Sequence, residues 1–174
     1  MIWNEGVIAR AVATQTLARK CIVLVDRCNW TGHECDVLAV TSCRRVIDVE
    51  IKVTRSDLKA DARKDKWWRY LPWAYGQPRQ EPVPREWPRR VWKHYYALPA
   101  HVWRDELLTF LPSPASGVIL LDERDGREPA VARVVRRAKP NGDAYRLTDA
   151  DVVAVARLAN LRMWDAYAAR EVGR

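Results

Sequence analysis

The chain has 174 residues, of which 48% are hydrophobic, and a formal net charge of +8 at pH 7. This length is typical of a single domain with its own core. The positive charge favours a polyanionic partner, although basic proteins without such a partner are common. The first residues lack the regions of a secretory signal, and no apolar run has the length of a membrane span. We therefore expect a cytoplasmic protein without a membrane partner.

The spacing of the four cysteines does not fit a zinc ribbon or knuckle, because no C-x-x-C pair is present. Cys21 and Cys35 fall in predicted strands, where a free thiol packs as a small hydrophobic group. The cysteines therefore argue against a zinc site, and a reducing compartment argues against disulfides.

The first predicted element is a helix from Ile8 to Lys20, because apolar residues recur at spacings of three and four without Gly or Pro. Asn4 is the expected N-cap. Glu5 places a negative charge in the first turn, where the helix dipole favours it. A buried strand is predicted over Cys21–Val25, followed by a loop over residues 26–33.

Two strand-like runs follow, Glu34–Val40 and Val46–Val53, and we expect them to form a hairpin. Strand side chains alternate between the two faces of a sheet. The second run therefore places aliphatic residues on one face and Asp48, Glu50 and Lys52 on the other. Ionised groups inside a sheet are costly unless they are paired or bound to a cation.

The hairpin would place Asp36 beside Glu50. Two adjacent carboxylates repel each other, and a divalent cation that prefers oxygen ligands, Mg²⁺ or Mn²⁺, relieves that repulsion. Lys52 would point at the same site, where an ammonium group stabilises charge on a phosphate or positions a water. The pattern thus predicts a divalent-cation site beside a lysine.

A helix is predicted over residues 57–68 with Ser56 as its N-cap. Asp57, Asp61 and Asp65 recur every four residues and therefore share one face. These acids either form a solvated, salt-bridged surface or, in the case of Asp57 or Asp61, brace the lysine of the site.

Residues 71–90 are predicted to form a long loop, because their five prolines are incompatible with regular structure. The aromatic residues of this loop alternate with arginines, which suits stacking on bases and contact with phosphates. The alternative is that its tryptophans anchor a long connection to the core.

The last third of the chain is predicted to complete the sheet and to end in a helix. The predicted elements are strands at 91–98, 117–121 and 130–138, a short helix at 101–111, a hairpin turn at Asp125-Gly126 and a final helix at about 148–171. The residues expected to be buried on that final helix are Val153, Ala156, Leu158, Leu161 and Trp164.

The combination of Asp36 with the later Glu50-Ile51-Lys52 resembles the core motif of the PD-(D/E)XK nuclease superfamily. The continuation Val53–Asp61 is similar to the MmcB-like branch of small bacterial and phage proteins, in which the E-x-K strand runs into a "(S/T)R-x-D-(F/L)" helix start. One departure is Cys35, which stands where the superfamily motif has proline.

Two later segments extend the resemblance. His94–Pro99 and Ser116–Leu121 resemble the "YYA-(V/L)-P" and "-GL-(I/L)" strands of the same branch. The likeness thus covers about Glu5 to Arg137, which is most of the chain.

The resemblance implies an α/β fold with a mixed central β-sheet flanked by helices, a restriction-endonuclease-like core, in one domain over residues 1–174. It implies a Mg²⁺- or Mn²⁺-dependent nuclease that hydrolyses DNA, phage-encoded or acting in DNA repair. Asp36, Glu50 and the Ile51 carbonyl would hold the metal, and Lys52 would orient the attacking water or stabilise charge on the phosphate. The further acids that can support the site are Glu5, Glu34 and Asp57. The expected contacts to DNA are Arg55, Lys64, Arg79, Arg85, Arg89 and Arg90.

Two other interpretations of the sequence stay open. A nuclease fold that has lost turnover would serve as a DNA-binding accessory protein. A phage regulatory or inhibitor protein would instead use the tryptophan-rich loop against a protein partner. The oligomeric state is open as well, and a homodimer is one option.

Overall fold

The structure, a computed structural model, describes residues 3–72, 75, 78, 80–124 and 130–172, without the side chains of residues 170 and 172. The strands are β1 (Cys21–Cys28), β2 (Cys35–Thr41), β3 (Val46–Ile51), β4 (Trp68–Arg69), β5 (Val83–Pro84), β6 (Val91–Pro99), β7 (Gly117–Glu123) and β8 (Ala130–Arg136). The α-helices are α1 (Glu5–Ala11), α2 (Arg55–Ala60) and α3 (Asp149–Val172).

Six of the strands form one mixed sheet in the order β1-β2-β3-β6-β7-β8. The central pairs β3–β6 and β6–β7 are parallel, and the outer pairs are antiparallel. Helices flank this sheet, so the expected α/β class is confirmed at that level. None of the helices in the described part of the chain is both long and apolar enough to cross a bilayer.

The N-terminal helix covers one face of the sheet. Asn4 is its N-cap, as predicted, since the Asn4 side chain accepts a hydrogen bond from the Val7 N–H at 3.0 Å, and the helix begins at Glu5, before the predicted Ile8. After Ala11 it continues in π-helical form over Val12–Leu17. Ile8 and other apolar residues of this helix pack against the aliphatic side of β3, which is the face predicted to be apolar.

Gln15 interrupts the apolar stripe of this helix for a reason that the sequence does not reveal. Its side-chain amide donates to the Ala130 carbonyl at 2.8 Å and accepts from the Ala132 N–H at 2.9 Å. The side chain thus pairs with β8, the last strand of the sheet, much as a neighbouring strand would.

The opposite face of the sheet carries two apolar clusters. Leu58, Trp67 and Tyr96 belong to the cluster under α2 and the segment that follows it. Leu38 and Val155 belong to the cluster under α3.

Charged and polar residues of β3 and β6 lie on this second face, which also carries the two clusters. Asp48, Glu50, Lys52 and His94 are each at most 5% exposed. Asp48 and Glu50 alternate with Val49 and the other apolar residues of β3, as predicted from the period of two.

The helix after β3 begins earlier and ends sooner than predicted. Thr54 is the N-cap, since its hydroxyl accepts from the Asp57 N–H at 3.2 Å, so the prediction of Ser56 as the cap is wrong. After α2 the chain forms two 3-10 turns, Asp61–Arg63 and Asp65–Trp67. Lys64 between them is extended, with φ −70° and ψ 140°, which brings the second turn back over the sheet.

The prediction of the buried face of α3 is largely wrong. Val153 is 68% exposed and Trp164 is 63% exposed, and Leu158 and Leu161 are also exposed. The residues that pack on the sheet are Val152, Val155 and Ala159, a stripe of i, i+3 and i+7 that is offset from the predicted one. Beyond Ala159 every described side chain of the helix is exposed, because the helix extends past the sheet.

Smaller differences concern the lengths of elements. Strand β1 extends to Cys28, because its ladder with β2 continues through Asp26–Val37 and Cys28–Cys35. The predicted helix at 101–111 is a 3-10 segment at Asp105–Phe110. Strand β5, within the predicted loop, forms a short antiparallel pair with β4, which begins at the last residue of the predicted helix 57–68. The predicted turn at Asp125-Gly126 lies outside the described residues.

Gly117 at the start of β7 provides a test of this packing. A Cβ there would overlap the Tyr95 ring and lie 2.7 Å from the Ala138 backbone nitrogen, which cannot move without shifting β8. We expect Gly117→Ala to lower the free energy of unfolding by about 2 kcal/mol, measured by urea denaturation. Gly142→Ala is the matched control, since nothing lies within 4 Å of its Cβ position. Equal stability of the two variants would contradict the close approach.

Candidate active site

The β2–β3 hairpin brings Asp36 level with Glu50. The last ladder pair is Val37–Val49, and one further step along both strands reaches these two acids. The hairpin turn that sets this register is closed by backbone hydrogen bonds between Thr41 and the following residues. The register thus matches the one expected from the sequence.

The Asp36 carboxylate turns towards the backbone of β3. Its Oδ2 accepts the Ile51 N–H at 2.6 Å. It lines a pocket of about 210 Å³ together with Ile51, two further acids, Glu5 and Asp26, and the first residues of α1. Asp36 therefore faces the α1 side of the sheet end, together with Glu5, so the prediction that its side chain lies beside Glu50 on one face is wrong.

The electrostatic environment of Asp36 is unfavourable to its ionised form. Burial and, next, the nearby Glu50 carboxylate raise the pKa of Asp36 to about 6. The Ile51 N–H and the Lys52 ammonium act in the opposite direction but do not compensate. A cation at this position would relieve the repulsion that the raised pKa records.

Glu50 lies among three lysines on the other side of the sheet end. Lys52 Nζ is 2.9 Å and Lys64 Nζ 3.3 Å from its Oε2, and Lys66 Nζ bonds to its Oε1. Burial alone would raise the pKa of Glu50, but the Lys66 and Lys52 ammonium groups outweigh it and lower that pKa. Glu50 is therefore ionised, and both of its oxygens bind lysine ammonium groups.

Asp61 is the second acid of this network. Its Oδ1 lies 2.9 Å from Lys52 Nζ and 3.1 Å from Lys64 Nζ, and its Oδ2 accepts from Tyr96 Oη at 2.6 Å and Trp67 Nε1 at 3.0 Å. Burial opposes ionisation of Asp61, but the lysines, Lys66 most of all, hold its pKa well below the usual range. We call Glu50, Asp61 and the three lysines the acid–lysine network.

The network can present fixed positive charge at the end of the sheet. Lys52 and Lys66 are buried, whereas the Lys64 side chain is 52% exposed. Within the network three ammonium groups face two carboxylates, a formal excess of one positive charge, and Asp48 just outside it is a further carboxylate near Lys66. Lys64 is the member able to reach a ligand from solvent.

The other acids expected to support the site are not drawn into the network. Glu34 is exposed and precedes β2. Asp57 is exposed, and its carboxylate accepts the Thr54 hydroxyl at 2.6 Å within the cap of α2. Asp61, which sequence reasoning considered only as an alternative, takes the bracing position instead. The reason is that Leu58 and Asp61, three residues apart, face the sheet.

The predicted DNA contacts are dispersed. Arg55 donates to the Val102 carbonyl at 2.8 Å, and Arg85 donates to the Trp68 carbonyl at 3.0 Å. Arg85, Arg89 and Arg90 line a pocket of about 450 Å³. Arg79 lies outside the described residues.

This arginine-lined pocket is far from Glu50. Arg89 and Arg90 directly precede Val91, which pairs with Val46 at the start of β3, whereas Glu50 pairs with Tyr96 near the other end. The separation along the strand is roughly 15 Å. A ligand that touches both places must therefore extend across the sheet.

Comparison with protein-family models gives no match, and no curated protein matches the chain. The fold is similar to that of the SPO1766 protein of unknown function from Silicibacter pomeroyi, with a TM-score of 0.55. The similarity covers 98% of this chain and 90% of the other, at 19% sequence identity. At this identity the likeness shows a common fold and nothing about activity.

Asp61 gives the most direct test of the network. Asp61→Asn leaves three buried or half-buried ammonium groups with one carboxylate, so we expect a loss of about 3 kcal/mol in the free energy of unfolding at pH 7. Because the folded pKa of Asp61 is lower than the unfolded one, its contribution is complete above about pH 4 and is lost as the pH falls further. The difference between wild type and variant in urea denaturation should therefore shrink below about pH 4.

Asp57→Asn is the matched control, since Asp57 is exposed four residues earlier in the chain. We expect it to change stability by less than about 1 kcal/mol. A similar loss in both variants, or a difference that does not depend on pH, would contradict the role given to Asp61.

Proposed function

We propose that the protein is a divalent-cation-dependent nuclease with a PD-(D/E)XK-like core that acts on DNA. The observation that carries the proposal is that Asp36 and Glu50 lie at opposed positions at the end of two paired strands, close enough for Glu50 to raise the pKa of Asp36, with Lys52 bonded to Glu50. The Asp36 carboxylate lies on the α1 side of the sheet and Glu50 on the other, so a shared cation would have to lie at the strand ends between them. The mixed sheet flanked by helices is compatible with such a core.

The donor atoms near Asp36 fit a hard cation. Asp36, Glu5 and the Ile51 carbonyl offer oxygen ligands beside a small pocket, which is the chemistry that Mg²⁺ and Mn²⁺ prefer. Glu50 could bind the same cation only if one of its lysine contacts broke, because both of its oxygens already bind lysines. Lys64 makes the more distant contact at 3.3 Å and is half exposed, so it is the group that would leave.

The residues around such a cation would then have separate roles in cleavage. When bound, the cation would lower the pKa of a water and neutralise phosphate oxygens. Lys52, fixed between Glu50 and Asp61, would hold its ammonium towards the charge that develops on the phosphate. Lys66 would keep Glu50 ionised from the buried side.

A second candidate is a DNA-binding protein of the same fold without turnover. The observation in its favour is that Glu50 is compensated by lysines, so it does not require a metal for charge balance. The excess positive charge of the network and the arginine-lined pocket would then serve binding alone.

DNA cleavage separates the two candidates. We expect the wild-type chain to cut plasmid or single-stranded DNA with Mg²⁺ or Mn²⁺ and to be inactive with EDTA. Asp36→Asn should lower the rate about 100-fold or more while DNA binding is retained, because the Asn oxygen can still accept the Ile51 N–H. Lys52→Ala should also abolish cutting.

Glu34→Gln is the matched control, since it removes an exposed acid two residues before Asp36. It should cut like the wild type. Salt-sensitive DNA binding without cleavage under any metal would favour the second candidate. Failure to bind DNA at all would contradict both.

Lys64 gives a separate test of competition for Glu50. We expect Lys64→Gln to tighten Mg²⁺ binding about fivefold, the ratio that corresponds to about 1 kcal/mol for a half-exposed ion pair. Isothermal titration calorimetry on both proteins measures the difference. Lys59→Gln, at an exposed lysine that lies over the Phe110 ring, should leave Mg²⁺ affinity unchanged. Weaker binding in Lys64→Gln would mean that Lys64 does not compete for the cation.

A further inference from the structure

A second cluster of ligand-type residues lies next to the acid–lysine network. His33 comes from the loop before β2, Cys35 from the first position of β2, Asp48 from β3 and His94 from β6. His33 Nε2 is 3.0 Å from Asp48 Oδ2 and 3.7 Å from Cys35 Sγ, and His94 Nε2 is 4.0 Å from Asp48 Oδ2. We propose that these four residues form a structural zinc site.

The distances are close to those of a tetrahedral zinc complex. Usual Zn–N, Zn–O and Zn–S bond lengths place neighbouring nitrogen and oxygen ligands about 3.3 Å apart, and nitrogen and sulfur about 3.6 Å apart. The ligand atoms of His33, Cys35 and Asp48 all lie within 4.8 Å of one another. His94 lies outside this group of three, with its Nε2 4.0 Å from Asp48 Oδ2, so its ring would have to move towards His33 and Cys35 to complete the set.

Two atoms of the cluster are buried without a hydrogen-bond partner among the described residues. They are His94 Nε2 and Asp48 Oδ1. Buried polar atoms are normally satisfied, so a pair of them at one place indicates a missing ligand. Both atoms belong to residues that commonly bind zinc.

Neighbouring hydroxyl groups fix the two histidines in the orientation that a metal requires. The Thr31 hydroxyl donates to the His33 carbonyl at 3.0 Å and lies 3.2 Å from His33 Nδ1, where it can accept an Nδ1–H. In that tautomer His33 Nε2 presents a lone pair to Asp48 Oδ2, 3.0 Å away, and a cation would bridge the two acceptors. His94 Nδ1 is likewise held by the Ser116 hydroxyl at 3.0 Å, which leaves its Nε2 directed at the cluster.

Charge and burial indicate the type of metal and its role. Cys35, Asp48 and His94 are at most 1% exposed, and the His33 side chain is 13% exposed. A thiolate, a carboxylate and two neutral imidazoles would exactly balance a doubly charged ion, which a closed site requires. Sulfur and nitrogen ligands favour Zn²⁺ over Mg²⁺. A closed site of four protein ligands is structural, because it leaves no position for substrate.

The site would join three strands and the loop before β2. This explains why sequence reasoning missed it, since the ligands are separated by up to sixty-one positions (His33 to His94) and only His33-x-Cys35 is local. The proposal does not depend on the proposed nuclease activity, and its test measures metal binding and stability.

The experiment uses the full chain, freed of metal by a chelator and titrated with Co²⁺ and then Zn²⁺. We expect one equivalent of Co²⁺ to give the visible spectrum of a tetrahedral complex together with a thiolate-to-cobalt charge-transfer band. Zn²⁺ should displace it and raise the Tm. Cys35→Ser should abolish the charge-transfer band, and Ser116→Ala should weaken zinc binding about tenfold through loss of the histidine's orientation.

Cys43→Ser and His101→Asn are the matched controls, because both residues are exposed and outside the cluster. They should bind Co²⁺ like the wild type. A wild-type chain whose cobalt spectrum lacks the thiolate band, or whose Tm is the same with Zn²⁺ and with EDTA, would overturn the proposal. In that case the cluster is a hydrogen-bonded histidine–aspartate pair without metal.

Discussion

The structure depends on the neutralisation of two carboxylates that β3 places inside the protein. Asp48 and Glu50 are almost fully buried, and an unpaired ion there would cost several kcal/mol. The chain supplies different partners for each, two histidines near Asp48 and three lysines around Glu50. The irregular segment after α2, two 3-10 turns around the extended Lys64, places Asp61, Lys64 and Lys66 beside this strand.

The two clusters share a strand but differ in chemistry. Around Glu50 all partners are hard, charged groups that can exchange with a phosphate or a divalent cation. Around Asp48 the neighbouring groups are softer ligands and are more deeply buried, as in a structural metal site. A single buried strand can thus belong to two clusters of different chemistry, because Asp48 and Glu50 lie two positions apart on the same face.

The sequence alone predicted the strands and the inward direction of Asp48, Glu50 and Lys52, since a period of two is a local property. It offered Asp61 only as one of two acids that could brace Lys52, and it did not predict Lys66, because Lys66 reaches Glu50 through a break at Lys64 that no local signal specifies. The same limit applies to α3. Its apolar residues were sufficient to predict a helix. Which of them pack depends on where the helix crosses the sheet, and the buried stripe contains Val152 and Val155 instead of the predicted Val153.

The pairing of Gln15 with β8 has a consequence for the solution behaviour of the protein. The last strand of a sheet exposes backbone donors and acceptors that can recruit another chain and start aggregation. By occupying the Ala130 carbonyl and the Ala132 N–H, a single amide on the N-terminal helix blocks two adjacent docking points on that edge. Gln15 weakens the apolar stripe of the helix, but it thereby lowers the tendency of this edge to pair with another copy of the chain.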